Sequence, residues 1–398
     1  MEPIVVVGGG LAAARATQTL RDQGYDGDLV VLTAEAFPPY ERPPLSKDYL
    51  RGEAGTDALF PHDADWYADR GVDLRTSTTA VGLDVAGSAI ETAPGGSLRY
   101  SRLLLATGSQ VRRLDVPGND LDGVHHLRTI DDADRLRTAL GDDGPLVVVG
   151  DGWIGMEVAA SARQLGRDVT VVGRSPHPLH GLGARVSEIF TNLHEENGVR
   201  LLRATAVTAL TGTGSVSGVE LDDGTTLEAS TVVVGVGVTP RCDLAAEAGI
   251  ELRSAADGDG VAVDGTLRTS APGVWAAGDI ASVPSVRYGR ALRVEHWAFA
   301  DETGKHAARA MLGSAEPYDV LPYFFTDQFD LGMEVKGVTS GEVVISGSAA
   351  DRECVAFWVD GDRVQAGMGI NVWDRMDDVE DLIRAEGPVD RAALDAFV

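Results

Sequence analysis

Two cysteines in 398 residues leave little room for sulfur chemistry. Cys242 and Cys354 lie far apart and form no C-x-x-C pair. That excludes a disulfide framework and a cysteine-rich metal site, and it fits a reducing compartment. Positive charge is scarce as well: 34 Lys and Arg stand against 61 Asp and Glu, for a formal net charge of -27. Such a balance speaks against nucleic acid and anionic membrane surfaces as partners. No apolar run approaches the ~18 residues that span a bilayer. The opening "MEPIVVVGGG" has no basic region, so a cytoplasmic location is expected. The patterns G-x-S-x-G and H-E-x-x-H are absent, and with them the usual hydrolase and metalloprotease signals. His177 and His180 of "HPLH", like His125 and His126, have no further ligand nearby in sequence and read as loop residues. No metal is expected.

What the chain has in excess is glycine, 48 residues, against a usual share of about 7%. The glycines fall mostly at strand ends, as α/β folds require. Two stretches share one grammar: "IVVVGGGLAAARATQTLRDQGYDGDLVVLTAE" from residue 4 and "LVVVGDGWIGMEVAASARQLGRDVTVVGRS" from residue 146. Each reads as a fully apolar strand, a G-x-G-x-x-[AG] turn, a helix and a second apolar strand. Continuous Val/Leu runs point to buried parallel strands, so each unit is a βαβ.

The strand and helix context turns a weak glycine motif into a dinucleotide-binding signal. Gly8 and Gly10 bring backbone N–H groups toward a pyrophosphate at a helix N-terminus, Ala12 and Ala13 keep the helix near its strand, and Glu35 is placed for a ribose diol. Gly150, Gly152 and Gly155 repeat the arrangement. Two dinucleotide sites in one chain imply a flavin and a nicotinamide, and hydride chemistry then belongs to the cofactors. At the end of the second unit, where an NADH-selecting enzyme carries Asp or Glu, stand Gly173, Arg174 and Ser175. Loss of that acid and gain of Arg174 lead to the expectation of NADPH rather than NADH. The basic "VRR" at 111–113, with Arg287, Arg290 and Arg293, is a candidate positive face.

Further strands are read in "RLLLATGS", "STVVVGVGVTP" and "GVWAAGDIA", followed by a helix stopping at Gly313. Beyond Pro317 the segments "VVISGSA" and "CVAFWVDGDRVQAGMGI" alternate like antiparallel strands, with a hairpin at Asp360–Gly361, and the tail reads as two short helices. The fold class is therefore α/β: two Rossmann-like nucleotide-binding domains plus a small α+β C-terminal domain. The expected boundaries are 1–112 and 241–316 for a discontinuous first nucleotide-binding domain, 113–240 for a second one inserted into it and 317–398 for the C-terminal domain. One stretch resists the local reading. In "YERPPLSKDYL", Pro43 and Pro44 stiffen the approach and Ser46 reads as a helix cap, but Lys47 has the wrong sign for a helix N-terminus.

"YERPPLSK", "LLLATGS", "LRTIDDA", "VWAAGDIA", "RVEHWAFA" and "PYFFTDQFDLGM", in that order, resemble the bacterial ferredoxin reductases that feed Rieske oxygenases and cytochromes P450. The resemblance implies a glutathione-reductase-like fold, FAD, NADPH or NADH, and an iron–sulfur ferredoxin as electron acceptor. It implies FAD in the first nucleotide-binding domain and NAD(P)H in the second. It implies FAD contacts at Ala12, Arg42, Lys47, Ala80, Ala106, Thr107, Gly108, Arg128, Gly278, Asp279, His296 and Trp297, with Lys47 near the isoalloxazine ring. It implies NAD(P)H contacts along Gly150, Gly152, Trp153, Ile154 and Gly155, and at Glu157, Arg174, Ser175 and Gly237. Lys47, Glu157, Glu295 and Trp297 are the implied catalytic group. The sequence departs from the family pattern at Phe299 and Thr303, where Asn and Gln are usual, at Phe325, where Trp is usual, and at Ala34, which leaves Glu35 for the ribose. A disulfide reductase of this fold would carry a Cys pair between about 40 and 60, and a coenzyme A disulfide reductase or NADH oxidase a single Cys there. This sequence has neither. The remaining alternatives are an oxidoreductase with a small-molecule acceptor and a redox-sensing flavoprotein.

Overall fold

The computed structural model describes residues 2–385 and 387–398. The chain packs as two compact units. One holds the chain up to Arg42 with Gly55–Gln110 and Thr239–Pro322, and the other holds Pro43–Ala54, Val111–Val238 and Tyr323–Val398.

In the first unit, Ile4–Val7 is buried at every residue, because a parallel strand with both faces covered has no side to give to water. It is the middle of five parallel strands in the order Val274–Ala276, Arg102–Leu105, Ile4–Val7, Leu29–Leu32, Val72–Arg75. The helix Leu11–Asp22 follows the first strand and buries Ala12, Ala13, Ala14 and Ala16, small side chains that let it lie close. Against it packs the helix Trp297–Met311, where a Cβ on Gly304 would fall 2.4 Å from the Ala12 carbonyl oxygen. Glycine is required there by close approach. Arg15 Nε donates to Asp301 Oδ1 at 2.7 Å and ties the two helices at their rim.

The second unit repeats the arrangement. Its parallel sheet runs Arg200–Leu202, Val169–Val172, Leu146–Val149, Thr231–Val234, Val124–His125, with the helix Trp153–Gln164 after the central strand. The same unit contains a five-stranded antiparallel sheet in the order Tyr323–Gln328, Leu331–Gly337, Arg363–Ile370, Glu353–Asp360, Glu342–Ser348. The hairpin closes where Asp360 faces Arg363, with Gly361 at φ 57°. Glu353–Asp360 does not alternate in burial: Cys354 through Val359 are all buried. The helix Met376–Arg384 lies over this sheet, its Val379 2.5 Å from where a Cβ on Gly367 would stand. The α/β class with two Rossmann-like sheets and an α+β C-terminal part is as the sequence implies. Among the described residues no helix is long and apolar enough to cross a membrane.

Candidate functional site

Both glycine turns pack tightly at their first glycine and stay open at their second. A Cβ on Gly8 would lie 2.2 Å from the Ala106 carbonyl oxygen, and one on Gly150, at φ 114°, 2.3 Å from that of Gly235. The glycines at these two places let the strand tops close up. At Gly10 and Gly152, the N-cap residues of the two helices, an added Cβ meets nothing within 4 Å. Neither N-cap carries a side-chain hydrogen bond, and neither helix has an acid in its first turn. The first N–H groups of each helix thus meet no side-chain acceptor at the N-cap, and the positive end of the dipole lies behind them. A pyrophosphate fits both.

In the first unit, Glu35 accepts from Tyr40 Oη at 2.6 Å and from Arg42 Nη2 at 3.2 Å. The expected ribose acid is thereby oriented by its own neighbours. Arg42 also lies over the Tyr40 ring at 4.9 Å. Burial lowers its pKa, but Tyr40, Glu35 and Asp279 together outweigh burial and raise it. Thr107, at the end of the strand Arg102–Leu105, donates to the Arg241 carbonyl at 2.7 Å, and Gly108 follows at φ 68°. Gly278 and Asp279 form a buried turn whose Gly278 N–H donates to Thr303 Oγ1 at 2.9 Å. Arg293 donates to the Asp279 carbonyl at 3.1 Å and to Glu295 Oε1 at 2.7 Å. Its side chain is only 12% exposed and also meets Asp259 at 3.6 Å. Arg293 is therefore removed from the expected basic face: it is an inward structural cation. His296 is the N-cap residue of the helix that Trp297 opens, with no side-chain cap bond, and Ala80 sits in the separate strand Thr79–Asp84.

In the second unit, a buried ionic cluster gathers around Glu157. Lys47 Nζ lies 3.2 Å from Glu157 Oε1, with side-chain exposures of 11% and 5%. Ser46 Oγ donates to Glu157 Oε2 and Thr326 Oγ1 to Glu157 Oε1, each at 2.5 Å. The Phe325 ring centroid is 5.2 Å from Lys47 Nζ. A buried carboxylate so placed has its charge matched and its lone pairs filled, as burial demands. The expectation that Ser46 caps a helix is corrected. The N-cap of Asp48–Arg51 is Lys47, with no side-chain cap bond, because Ser46 ends the preceding turn Pro43–Ser46 and its hydroxyl goes to Glu157 instead. Lys47 and Glu157, two residues of the implied catalytic group, are thus brought into contact. Trp153 packs on Phe190 and Phe324 at 5.8 and 4.7 Å, while Ile154 is exposed. The Arg128 N–H donates to Asp132 Oδ2 at 3.2 Å just before the helix Ile130–Leu140. Gly237, at φ 100°, accepts the Arg112 N–H at 2.9 Å.

Arg174 is exposed and Ser175 half-buried past the strand Val169–Val172, and Arg174 has no ion pair among the described residues. Facing Gly173 is a side chain that the sequence reading passed over. A Cβ on Gly173 would lie 2.0 Å from Asp151 Oδ2. Burial pushes the Asp151 carboxyl up, opposed by its own N–H and by nearby His180. Ser46 and Thr326 were likewise not foreseen as partners of Glu157, since only folding joins residues 111 and 169 positions away. Among the described residues no group of three or more His, Cys, Asp or Glu side chains is placed to hold a metal.

Residues 2–304 match the family described as pyridine nucleotide-disulphide oxidoreductase. The chain belongs to that family. Residues 323–396 match a second family, the reductase C-terminal domain. The chain is 36% identical over 370 residues to the probable ferredoxin reductase CtmF of Castellaniella defragrans, covering 92% of this chain and 89% of that protein. It is also 34% identical over 389 residues to the chloroplastic monodehydroascorbate reductase 5 of Oryza sativa, covering 92% and 78% respectively. Among solved structures it superposes on a covalent putidaredoxin reductase–putidaredoxin complex with a TM-score of 0.94 at 31% identity, over 99% of this chain and 95% of that one. Membership makes the chain an oxidoreductase that uses FAD and a nicotinamide. The disulfide chemistry in the family's name has no groups to carry it here. Cys354 is fully buried, and burial pushes both thiols up to about 11.

Proposed function

We propose that this enzyme passes a hydride from NAD(P)H to FAD and then single electrons to an iron–sulfur ferredoxin that supplies a cytochrome P450 or a Rieske oxygenase in the cytoplasm. Residues 1–112 and 241–316 act in this reading as the FAD domain, 113–240 as the nicotinamide domain, and 317–398 as the C-terminal domain. FAD, when bound, supplies the conversion from two-electron to one-electron chemistry. The chain's residues do the rest. Gly10 and Ala12 present N–H groups to the pyrophosphate, while Gly8 and Ala13, whose N–H groups go to the Leu32 and Gly10 carbonyls, let the turn close and keep the helix on its strand. Glu35, locked by Tyr40 and Arg42, takes the ribose, and Asp279 takes the polyol chain. At the nicotinamide dinucleotide Gly152 opens the helix N-terminus, and Gly150 and Gly155, packed against the Gly235 and Gly150 carbonyls, let the turn close. Lys47, held in place by its ion pair with Glu157, would supply positive charge to a reduced flavin. Glu295 and Trp297 complete the implied group.

The observation that carries the reading is the pair of uncapped helix N-termini behind glycine turns in a chain with no thiol able to relay electrons. Electrons delivered by a nicotinamide to a flavin then leave for an acceptor outside the chain. The expectation of NADPH rests on an acid missing from the strand end. The Asp151 carboxyl stands at that place, which favours NADH. A second reading, a small-molecule acceptor, is favoured by the likeness to a monodehydroascorbate reductase. Steady-state reduction of cytochrome c by the FAD-loaded enzyme separates the two. The rate should rise with added [2Fe–2S] ferredoxin and saturate. A rate indifferent to every ferredoxin in a panel, with faster turnover of the monodehydroascorbate radical, overturns the first reading.

A further inference from the structure

Asp151 stands between Gly150 and Gly152 in the second glycine turn, and its backbone carbonyl accepts the Leu179 N–H at 2.9 Å. A Cβ built on Gly173 would fall 2.0 Å from its Oδ2 and 2.3 Å from its Cγ. Gly173 is itself fixed: its N–H donates to the Leu202 carbonyl and its own carbonyl accepts the Thr205 N–H, both at 2.9 Å. The carboxylate therefore fills the space where the stem of a strand-end side chain would stand, and only glycine at 173 admits it. Asp151 Oδ2 is buried and has no hydrogen-bond partner among the described residues. Leaving a charged acceptor unsatisfied is costly for folding. A chain that keeps one at a nucleotide turn points to a use for the charge.

In dinucleotide folds the acid at the end of the second strand meets the adenosine 2′-hydroxyl and rejects a 2′-phosphate. We propose that Asp151, supplied from the glycine turn, takes over this selection from the vacant strand-end position and sets the enzyme for NADH against NADPH. The inference rests on the second glycine turn being the nicotinamide dinucleotide site. A 2′-phosphate brings up to two negative charges, and a half-buried carboxylate with one oxygen out of water repels it with less screening than an exposed one. The next residue, Arg174, is exposed and pulls the other way. His180 is the remaining titratable neighbour that acts on the carboxylate. Selection is then a balance in which Asp151 opposes the attraction that Arg174 alone would exert.

The test reads binding rather than turnover. Isothermal titration of the FAD-loaded protein with adenosine 2′,5′-bisphosphate and with 5′-AMP separates the 2′-phosphate from the rest of the nucleotide. Asp151→Asn and Asp151→Ala should each tighten the bisphosphate about tenfold while 5′-AMP stays within about threefold. The exchange Asp151→Gly with Gly173→Asp, which moves the acid to the strand end, should restore the selectivity of the parent. Adding Arg174→Ala to Asp151→Asn should remove most of the gain. Unchanged selectivity in both single variants overturns the proposal, as does parallel weakening of both ligands, which marks a structural role. If neither nucleotide binds the parent protein, the site assignment fails and the proposal with it. A failed ferredoxin assay leaves these binding arms readable, so the two readings fall separately.

Discussion

Replacing Lys47 with Met leaves the Glu157 carboxylate inside the second unit without its cation. Glu157 is 4% exposed and Lys47 9%, so water cannot take the cation's place. Breaking a buried pair from one side costs about 3–5 kcal/mol. Two hydroxyl donors, Ser46 and Thr326, stay on the carboxylate, and charge-assisted bonds of this kind are each worth about 1.5–3 kcal/mol, which sets the expectation at the lower end. Loss of the cation over the Phe325 ring at 5.2 Å adds about 0.5–1 kcal/mol. The expected loss is about 3 kcal/mol. Glu157→Gln keeps the shape and strands the lysine instead, and the double variant strands no charge. Urea titrations followed by far-UV circular dichroism on all four proteins close the cycle. The double variant should be more stable than Lys47→Met alone, with a coupling of about 2 kcal/mol or more. A loss below about 1 kcal/mol for Lys47→Met, or strict additivity, refutes the buried pair.

His194 hydrogen-bonds Gln328 at 2.8 Å with its other nitrogen unpartnered among the described residues, and burial depresses its pKa from 6.5 to about 4. The unfolded chain then binds the extra proton first, so stability is full above pH 6.5 and falls by about 3 kcal/mol as pH drops to 4. His194→Gln should flatten that acid limb, and an unchanged limb counts against the assignment. Thr303→Val removes the acceptor of the buried Gly278 N–H and should weaken FAD retention about tenfold, from about 1–2 kcal/mol of lost hydrogen bonding, read by flavin release on dilution. With thiols pushed up to about 11 by burial, Cys242 and Cys354 should both alkylate at least tenfold more slowly than free cysteine at pH 8. A fast-reacting thiol would reopen disulfide chemistry.

What could be read from the sequence followed from local rules. Runs such as "LVVV" before a glycine turn declare a buried parallel strand, because burial on both faces and the turn are properties of adjacent residues. The Asp360–Gly361 hairpin was legible for the same reason. Chemistry that depends on side chains far apart in sequence was not. Lys47 stood out as a misfit at a helix N-terminus, but its contact with Glu157 spans 110 positions and no local pattern encodes it. Ser46 read as a cap because a serine before a short helix usually is one, and here a buried carboxylate competed for the hydroxyl and won. Asp151 escaped notice because a search for an acid at the strand end looks along the strand, whereas folding delivers one from the turn beside it. Thr303, a departure from the family pattern, turned out to hold the turn that carries Asp279.

The central claim is that this enzyme relays electrons from a nicotinamide through FAD to an iron–sulfur protein. Anaerobic stopped-flow with the FAD-loaded enzyme tests it most directly. NADH should bleach the flavin absorbance within one fast phase, and oxidised [2Fe–2S] ferredoxin added in a second mix should restore it at a rate that grows with ferredoxin concentration. Slow bleaching that leaves a long-lived coloured complex, with no return on adding ferredoxin, would contradict the account.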